Sequence, residues 1–143
     1  MNPSQLIFQN RYTDGRPFVR AKIVIVNPET GRQTTIEKDF KIDTGFDGGI
    51  HVAQACMDDI RMIGIDPAVG TYLQADGIPS PGHHCHAYLQ QVGDYNFPMP
   101  GIEAELVLHG RSRYGLLGLE ILRYWIAKFD GPNDLLTIHH SEG

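Results

Sequence analysis

Asp43, Thr44 and Gly45 form a tripeptide that could present a carboxylate for acid–base chemistry. The tripeptide follows a strand-like segment, residues 40–42, and precedes a glycine-rich turn that includes residues 47–49. A carboxylate held at the end of a strand can take a proton from a reacting group or give one to it. The carboxylate at position 43 is therefore a candidate general acid or base.

A second motif lies further along the chain, where residues 115–118 read Gly-Leu-Leu-Gly and lead into a segment with helical character. A glycine- and proline-rich hairpin lies between the two motifs. In their order and spacing, FKIDTGFDGGI (40–50), LQADGIPSPG (73–82) and GLLGLEILRYW (115–125) resemble the catalytic loop, the flap and the apolar-apolar-Gly motif of the retropepsin-like aspartic peptidases, single-domain relatives of the pepsin family. The resemblance covers roughly residues 17–139.

The resemblance implies an aspartic endopeptidase that acts as a symmetric homodimer on an extended peptide or protein segment. The chain has one Asp-Thr-Gly and no Asp-Ser-Gly sequence, so Asp43 of each subunit would supply one carboxylate of a shared catalytic pair. One Asp43 would act as general base on water and the other would protonate the carbonyl oxygen. By the same resemblance, the Thr44 hydroxyl bonds across the dimer, Gly45 offers its N–H to the carboxylate, and Gly118 lets the loop pack closely.

The resemblance also implies a mobile flap over the substrate, at residues 73–86. Ala75, Asp76, Gly77 and Ile78 are its candidate substrate-binding residues, since backbone groups at a hairpin tip can bond to an extended peptide as to an added strand. Two prolines at the tip depart from the family, because proline stiffens the chain and has no N–H. An ordinary long hairpin is the alternative.

Phe46 is larger than the alanine or serine usual at this place in the better-known relatives. Its ring is expected either to fill a substrate subsite or to pack beneath the catalytic loop. Phe46 is therefore included among the candidate substrate-binding residues.

The sequence His83-His84-Cys85-His86 suggests a metal site. On a strand, alternate side chains share a face, so only His84 with His86, or His83 with Cys85, could converge. Zinc usually takes four protein ligands, or three and a water, and a dimer would be needed to reach that number. A surface or packing role is favoured, and we expect no metal or other cofactor.

Sixteen glycines and nine prolines favour short strands and tight turns over long helices. Alternating apolar residues or turn-bounded runs predict strands at 17–27, 33–42, 50–52, 71–75, 84–92, 102–108, 127–130 and 135–139. Helical spacing predicts short helices at 53–63 and 119–125. We expect one domain over residues 1–143, all-β, a small closed or nearly closed β-barrel of the retropepsin type with one or two short helices.

Composition limits the possible partners. A net charge of −5 without a basic run argues against nucleic-acid binding. No apolar run approaches the roughly 20 residues of a membrane helix, and no basic start precedes an apolar stretch at the N-terminus. Two cysteines, Cys56 and Cys85, do not make a disulfide framework, so a reduced cytoplasmic setting is the simplest interpretation.

A second hypothesis belongs to another class of protein. A dimer with a peptidase-like fold could bind peptides, or serve as an assembly module, with little or no catalysis. The intact Asp43, Thr44 and Gly45 favour the enzyme, because a pure binding module has no chemical need for the acid.

Overall fold

Short strands make up most of the chain in the computed structural model, which describes residues 4–66, 86–108 and 113–141. The strands are β1 (Gln5–Arg11), β2 (Phe18–Val26), β3 (Gln33–Ile42), β4 (Ile50–His51), β5 (His86–Val92), β6 (Tyr95–Asn96), β7 (Ile102–Val107), β8 (Gly115–Leu117), β9 (Trp125–Asp130) and β10 (Leu135–His140). The helices are a 3₁₀ turn (Gln54–Cys56), α1 (Met57–Met62) and α2 (Leu119–Leu122).

Six strands close into a barrel in the order β2, β3, β8, β4, β7, β5 and back to β2, and β6 extends the sheet from β5. The β3–β8 and β4–β7 pairs are parallel, while the other pairs in the ring are antiparallel. The all-β class, the closed barrel and the short helices predicted from the sequence are thereby confirmed.

A second, antiparallel sheet joins the ends of the described chain in the order β1, β10, β9. Strand β1 was not predicted, because only Ile7 of its seven residues is buried and the rest of the strand gives no apolar alternation. The predicted helix over 119–125 is too long: α2 ends at Leu122, and Trp125 is paired with His140 in β9. Trp125 is buried at the start of β9, where cross-strand pairing overrides its helical spacing.

The barrel interior is filled by side chains that alternate along each strand. Ile23 and Ile25 of β2, Phe40 of β3 and Leu117 of β8 are at most 1% exposed. Helix α1 adds Ile60, which is fully buried. The region predicted as one helix over 53–63 is a 3₁₀ turn followed by α1.

Gly64 ends this helical region with a backbone φ of +85° and donates its N–H to the Arg61 carbonyl. This is the left-handed ending that glycine favours, as the sequence predicted. Within the described ranges, the helices are all too short and insufficiently apolar to cross a membrane.

Asn27 fastens the β2–β3 turn to the end of the α1 region. The side chain is 5% exposed; its Nδ2 donates to the Ile63 carbonyl at 2.8 Å and its Oδ1 accepts from the Glu29 N–H at 2.9 Å.

The Asn27→Ala substitution is expected to lower the free energy of unfolding by about 1–2 kcal/mol, since it removes the side-chain donor of the buried Ile63 carbonyl. Urea denaturation measures the change, with the exposed Asn96→Ala as control at less than about 0.5 kcal/mol. Equal effects of the two substitutions would contradict the prediction.

Candidate active site

Asp43 lies at the end of β3, where this strand runs parallel to β8. The register pairs Ile42 with Leu117, and the Asp43 N–H donates to the Leu117 carbonyl at 3.0 Å. The Asp43 carbonyl in turn accepts from the Phe46 N–H at 3.2 Å, which closes a tight turn. The barrel therefore fixes both the position of Asp43 and the direction in which the chain leaves it.

The carboxylate of Asp43 is held by its own loop. Its Oδ1 accepts from the Gly45 N–H at 2.9 Å, which is the contact expected from the sequence. Asp43 is half-buried, whereas Thr44 and Gly45 are exposed. Asp43 takes part in neither the Arg20–Asp39 nor the Arg61–Asp58 ion pair. A partly exposed carboxylate that is oriented by a backbone donor can accept a proton from water, or donate one when protonated.

Gly118 and Leu119 hold the part of this loop that follows Gly45. The Gly118 N–H donates to the Gly49 carbonyl at 2.9 Å, and the Leu119 N–H donates to the Phe46 carbonyl at 2.8 Å. Position 118 accommodates only glycine without a shift of the backbone. A Cβ there would lie 2.5 Å from the Phe46 carbonyl oxygen and would also overlap the Gly48 carbonyl. The structure thus brings the two sequence motifs, 43–45 and 115–118, into direct contact.

Phe46 packs within the loop. The ring lies so close to two glycines that an added Cβ would be 2.7 Å from it at Gly48 and 2.6 Å from it at Gly118. The centroid of the Phe46 ring is 6.4 Å from the centroid of the His51 ring. Phe46 is only half-buried, so part of its ring is also accessible from outside. Of the two roles predicted for Phe46, packing is observed, and contact with substrate stays a prediction.

Gly49 and Glu120 also hold the loop, and the sequence analysis did not single them out. A Cβ at Gly49 would lie 2.7 Å from the Ala104 Cβ, so this glycine allows the loop to cross β7 closely. The Glu120 Oε1 accepts from the Glu105 N–H at 3.0 Å, which links α2 to β7. The Gly48-Gly49 pair was the available sequence signal for the close crossing, whereas no local pattern points to the Glu120 bond.

The remaining predicted site residues lie elsewhere. The candidate flap residues Ala75, Asp76, Gly77 and Ile78 are outside the described residues, as are His83, His84 and Cys85, and His86 begins β5. The described ranges contain no group of three or more His, Cys, Asp or Glu side chains placed to hold a metal ion.

The chain was compared with known proteins. No protein-family model matches it, and no curated protein matches it either.

Proposed function

We propose that this protein is an aspartic endopeptidase, active as a homodimer in which each subunit contributes one Asp43. The observation that carries the proposal is the Asp43 carboxylate, oriented by the Gly45 N–H in a loop whose other side is fastened to Gly118 and Leu119. Such a loop presents a carboxylate in a fixed direction at the surface of a rigid barrel. The resemblance of residues 40–50, 73–82 and 115–125 to the retropepsin-like peptidases points to the same chemistry.

Two copies are required by the chemistry. One chain offers one Asp-Thr-Gly carboxylate, and a metal-free hydrolysis needs a base for water and an acid for the substrate. Two Asp43 carboxyl groups about 3 Å apart would share one proton, because like charges at that distance do not both ionise readily. The exposed Thr44 beside Asp43 is available to bond to the partner loop across a two-fold axis.

The substrate would be an extended peptide or protein segment. Phe46 would contact it from the catalytic loop, and residues 75–78 would cover it as a flap. We also propose a reducing, cytoplasmic setting, which the free, buried thiol of Cys56 supports.

Mixing two forms of the chain tests the shared active site. Wild-type protein is titrated with Asp43→Asn, and cleavage of a mixed peptide library is followed. With free subunit exchange, only about a quarter of the dimers in an equal mixture carry two Asp43 residues, which roughly halves the activity of a fixed amount of wild-type chain. Asp94→Asn, in an exposed turn, serves as the control and should leave that activity undiminished.

Two results would contradict the proposal. The first is full activity of the wild-type chain under a large excess of affinity-tagged Asp43→Asn chain, when the tagged chain captures wild-type chain and so demonstrates mixed dimers. The second is saturable peptide binding by the wild-type protein without any turnover, which would favour a binding module instead.

A further inference from the structure

A surface cavity of about 290 Å³ lies on the β2–β3–β8 side of the barrel, away from the Asp43 loop. Its walls come from β2, β3, the 3₁₀ turn and the start of β8: Arg20, Lys38, Asp39, Phe40, Ala53, Ala55, Cys56, Arg113, Tyr114 and Gly115. Phe40 of β3 and Gly115 of β8 lie three residues before Asp43 and Gly118, which follow these strands. Three residues of strand span roughly 10 Å, and this length separates Phe40 and Gly115 from the catalytic loop. The cavity is thus separate from the candidate active site.

The charge of this cavity is opposite to that of the protein. The chain as a whole has 17 acidic and 12 basic residues, yet the cavity is lined by three basic side chains, Arg20, Lys38 and Arg113, and one acidic side chain, Asp39. The other lining residues are apolar, glycine or tyrosine, apart from the Cys56 thiol. Cationic groups around a cleft with low-dielectric walls raise the local concentration of anions.

The positive charges are poorly neutralised by the protein itself. The Arg20 Nη1 is 3.9 Å from the Asp39 Oδ1, and both side chains are more than half exposed, so this ion pair is weak. Arg113 lies over the Tyr114 ring at 5.6 Å, which positions the guanidinium without cancelling its charge. Within the described residues, neither Lys38 nor Arg113 has an ion-pair partner.

The Tyr114 ring, over which the Arg113 guanidinium lies, is itself held by two contacts. Its hydroxyl accepts from the Arg16 Nη1 at 2.9 Å, and its ring contacts the Phe18 ring edge-on at 5.1 Å.

Lys38 lies near Cys56, which belongs to the wall formed by the 3₁₀ turn. Burial raises the pKa of the Cys56 thiol, and the positive charge of Lys38 partly offsets that rise. By the strand register, Arg20 lies with Asp39 on one face of the β2–β3 sheet and Lys38 lies with Ala21 on the other. The cations therefore border the cavity from both sides of β3.

We propose that this cavity is a binding site for a small anion bearing a phosphate or carboxylate group, held by Arg20, Lys38 and Arg113 above an apolar floor. The guanidinium groups can give paired N–H donors to such oxygens, and the lysine adds a point charge. The volume is at the lower end for ligand pockets and corresponds to a metabolite-sized molecule. The inference does not depend on the proposed peptidase activity, since it concerns binding alone.

Titration of the protein with inorganic phosphate, and separately with succinate, tests the proposal. Chemical shifts of backbone amides at Lys38, Ala55 and Tyr114 are followed at constant ionic strength set by sodium chloride. We expect saturable shifts at these amides with at least one of the two anions. Saturation by phosphate alone assigns a phosphoryl ligand, and saturation by succinate alone assigns a carboxylate ligand. Absence of saturation with both would overturn the proposal.

Three variants sharpen the test. Lys38→Gln combined with Arg113→Gln is expected to weaken binding about tenfold or more, because it removes two charged donors. Arg123→Gln is the matched control, since Arg123 stacks on Tyr124 at 4.9 Å in the same manner but does not line the cavity. Asp39→Asn is expected to tighten binding, because it removes the only acidic group of the cavity wall.

The Asp39→Asn result keeps the proposal falsifiable if the double variant unfolds. Unchanged or weaker binding by Asp39→Asn would show that the anions do not bind beside Asp39. A loss with Arg123→Gln equal to that of the double variant would show that the anions respond only to overall charge. Either result would overturn the proposal.

Discussion

The Asp43→Asn substitution is expected to lower peptide cleavage about a thousandfold or more, because in the proposed dimer it removes the base and the acid of the reaction at once. The side chains of asparagine and aspartate have nearly the same shape. The amide oxygen can still accept from the Gly45 N–H, so the loop should keep its geometry. The two amide side chains of the substituted dimer could neither take a proton from water nor share one between them.

The measurement compares cleavage of a mixed peptide library by wild-type and substituted protein across pH. The wild-type rate should follow a bell-shaped profile, as expected of a carboxyl pair that works with one shared proton. Asp94→Asn is the control and should cleave at the wild-type rate. Thermal unfolding and sedimentation of all three proteins establish that folding and dimerisation are retained. Cleavage by the Asp43→Asn protein at the wild-type rate would refute the peptidase proposal.

The Gly118→Ala substitution is expected to lower the free energy of unfolding by about 3 kcal/mol, and with it any peptidase activity. The added Cβ would meet the backbone carbonyls of Phe46 and Gly48 and the Phe46 ring. Backbone atoms cannot move aside as a flexible side chain can. Relief of the overlap would therefore separate α2 from the loop and break the bond from the Leu119 N–H to Phe46.

Gly131→Ala is the matched control for this prediction. Gly131 lies in the β9–β10 turn, has nothing within 4 Å of an added Cβ, and should tolerate alanine with a change below about 0.5 kcal/mol. Urea denaturation of both proteins gives the comparison. A Gly118→Ala protein as stable as Gly131→Ala would mean that the loop does not depend on the close contact at position 118.

Much of the barrel could be predicted because apolar residues alternate in the sequences of its longest strands, β2 and β3. In β2 the most deeply buried side chains, those of Val19, Ala21, Ile23 and Ile25, occupy alternate positions. The turn at residues 27–31 contains the proline and glycine that such turns need. The Asp43 loop was predictable for a similar reason, since the tripeptide directly follows a patterned strand.

Other parts depend on partners that no local pattern reveals. Strand β8 has only three residues, and its strand conformation comes from parallel pairing with β3 and antiparallel pairing with β4. The basic cavity likewise brings together Arg20, Lys38 and Arg113, which are adjacent only because of the β2–β3 register and the position of β8. Register and strand order are global properties, so sequence periodicity alone does not define these sites.

The dependence of the Asp43 loop on Leu117, Gly118 and Leu119 has a consequence for biosynthesis. These residues leave the ribosome long after Asp43, and contacts between such distant segments form late in folding. A growing or truncated chain that ends before position 117 lacks the backbone bonds that Leu117, Gly118 and Leu119 make to the loop. Under the proposed function, proteolytic capacity would therefore arise only in completed chains, which protects the nascent protein and its neighbours from premature cleavage.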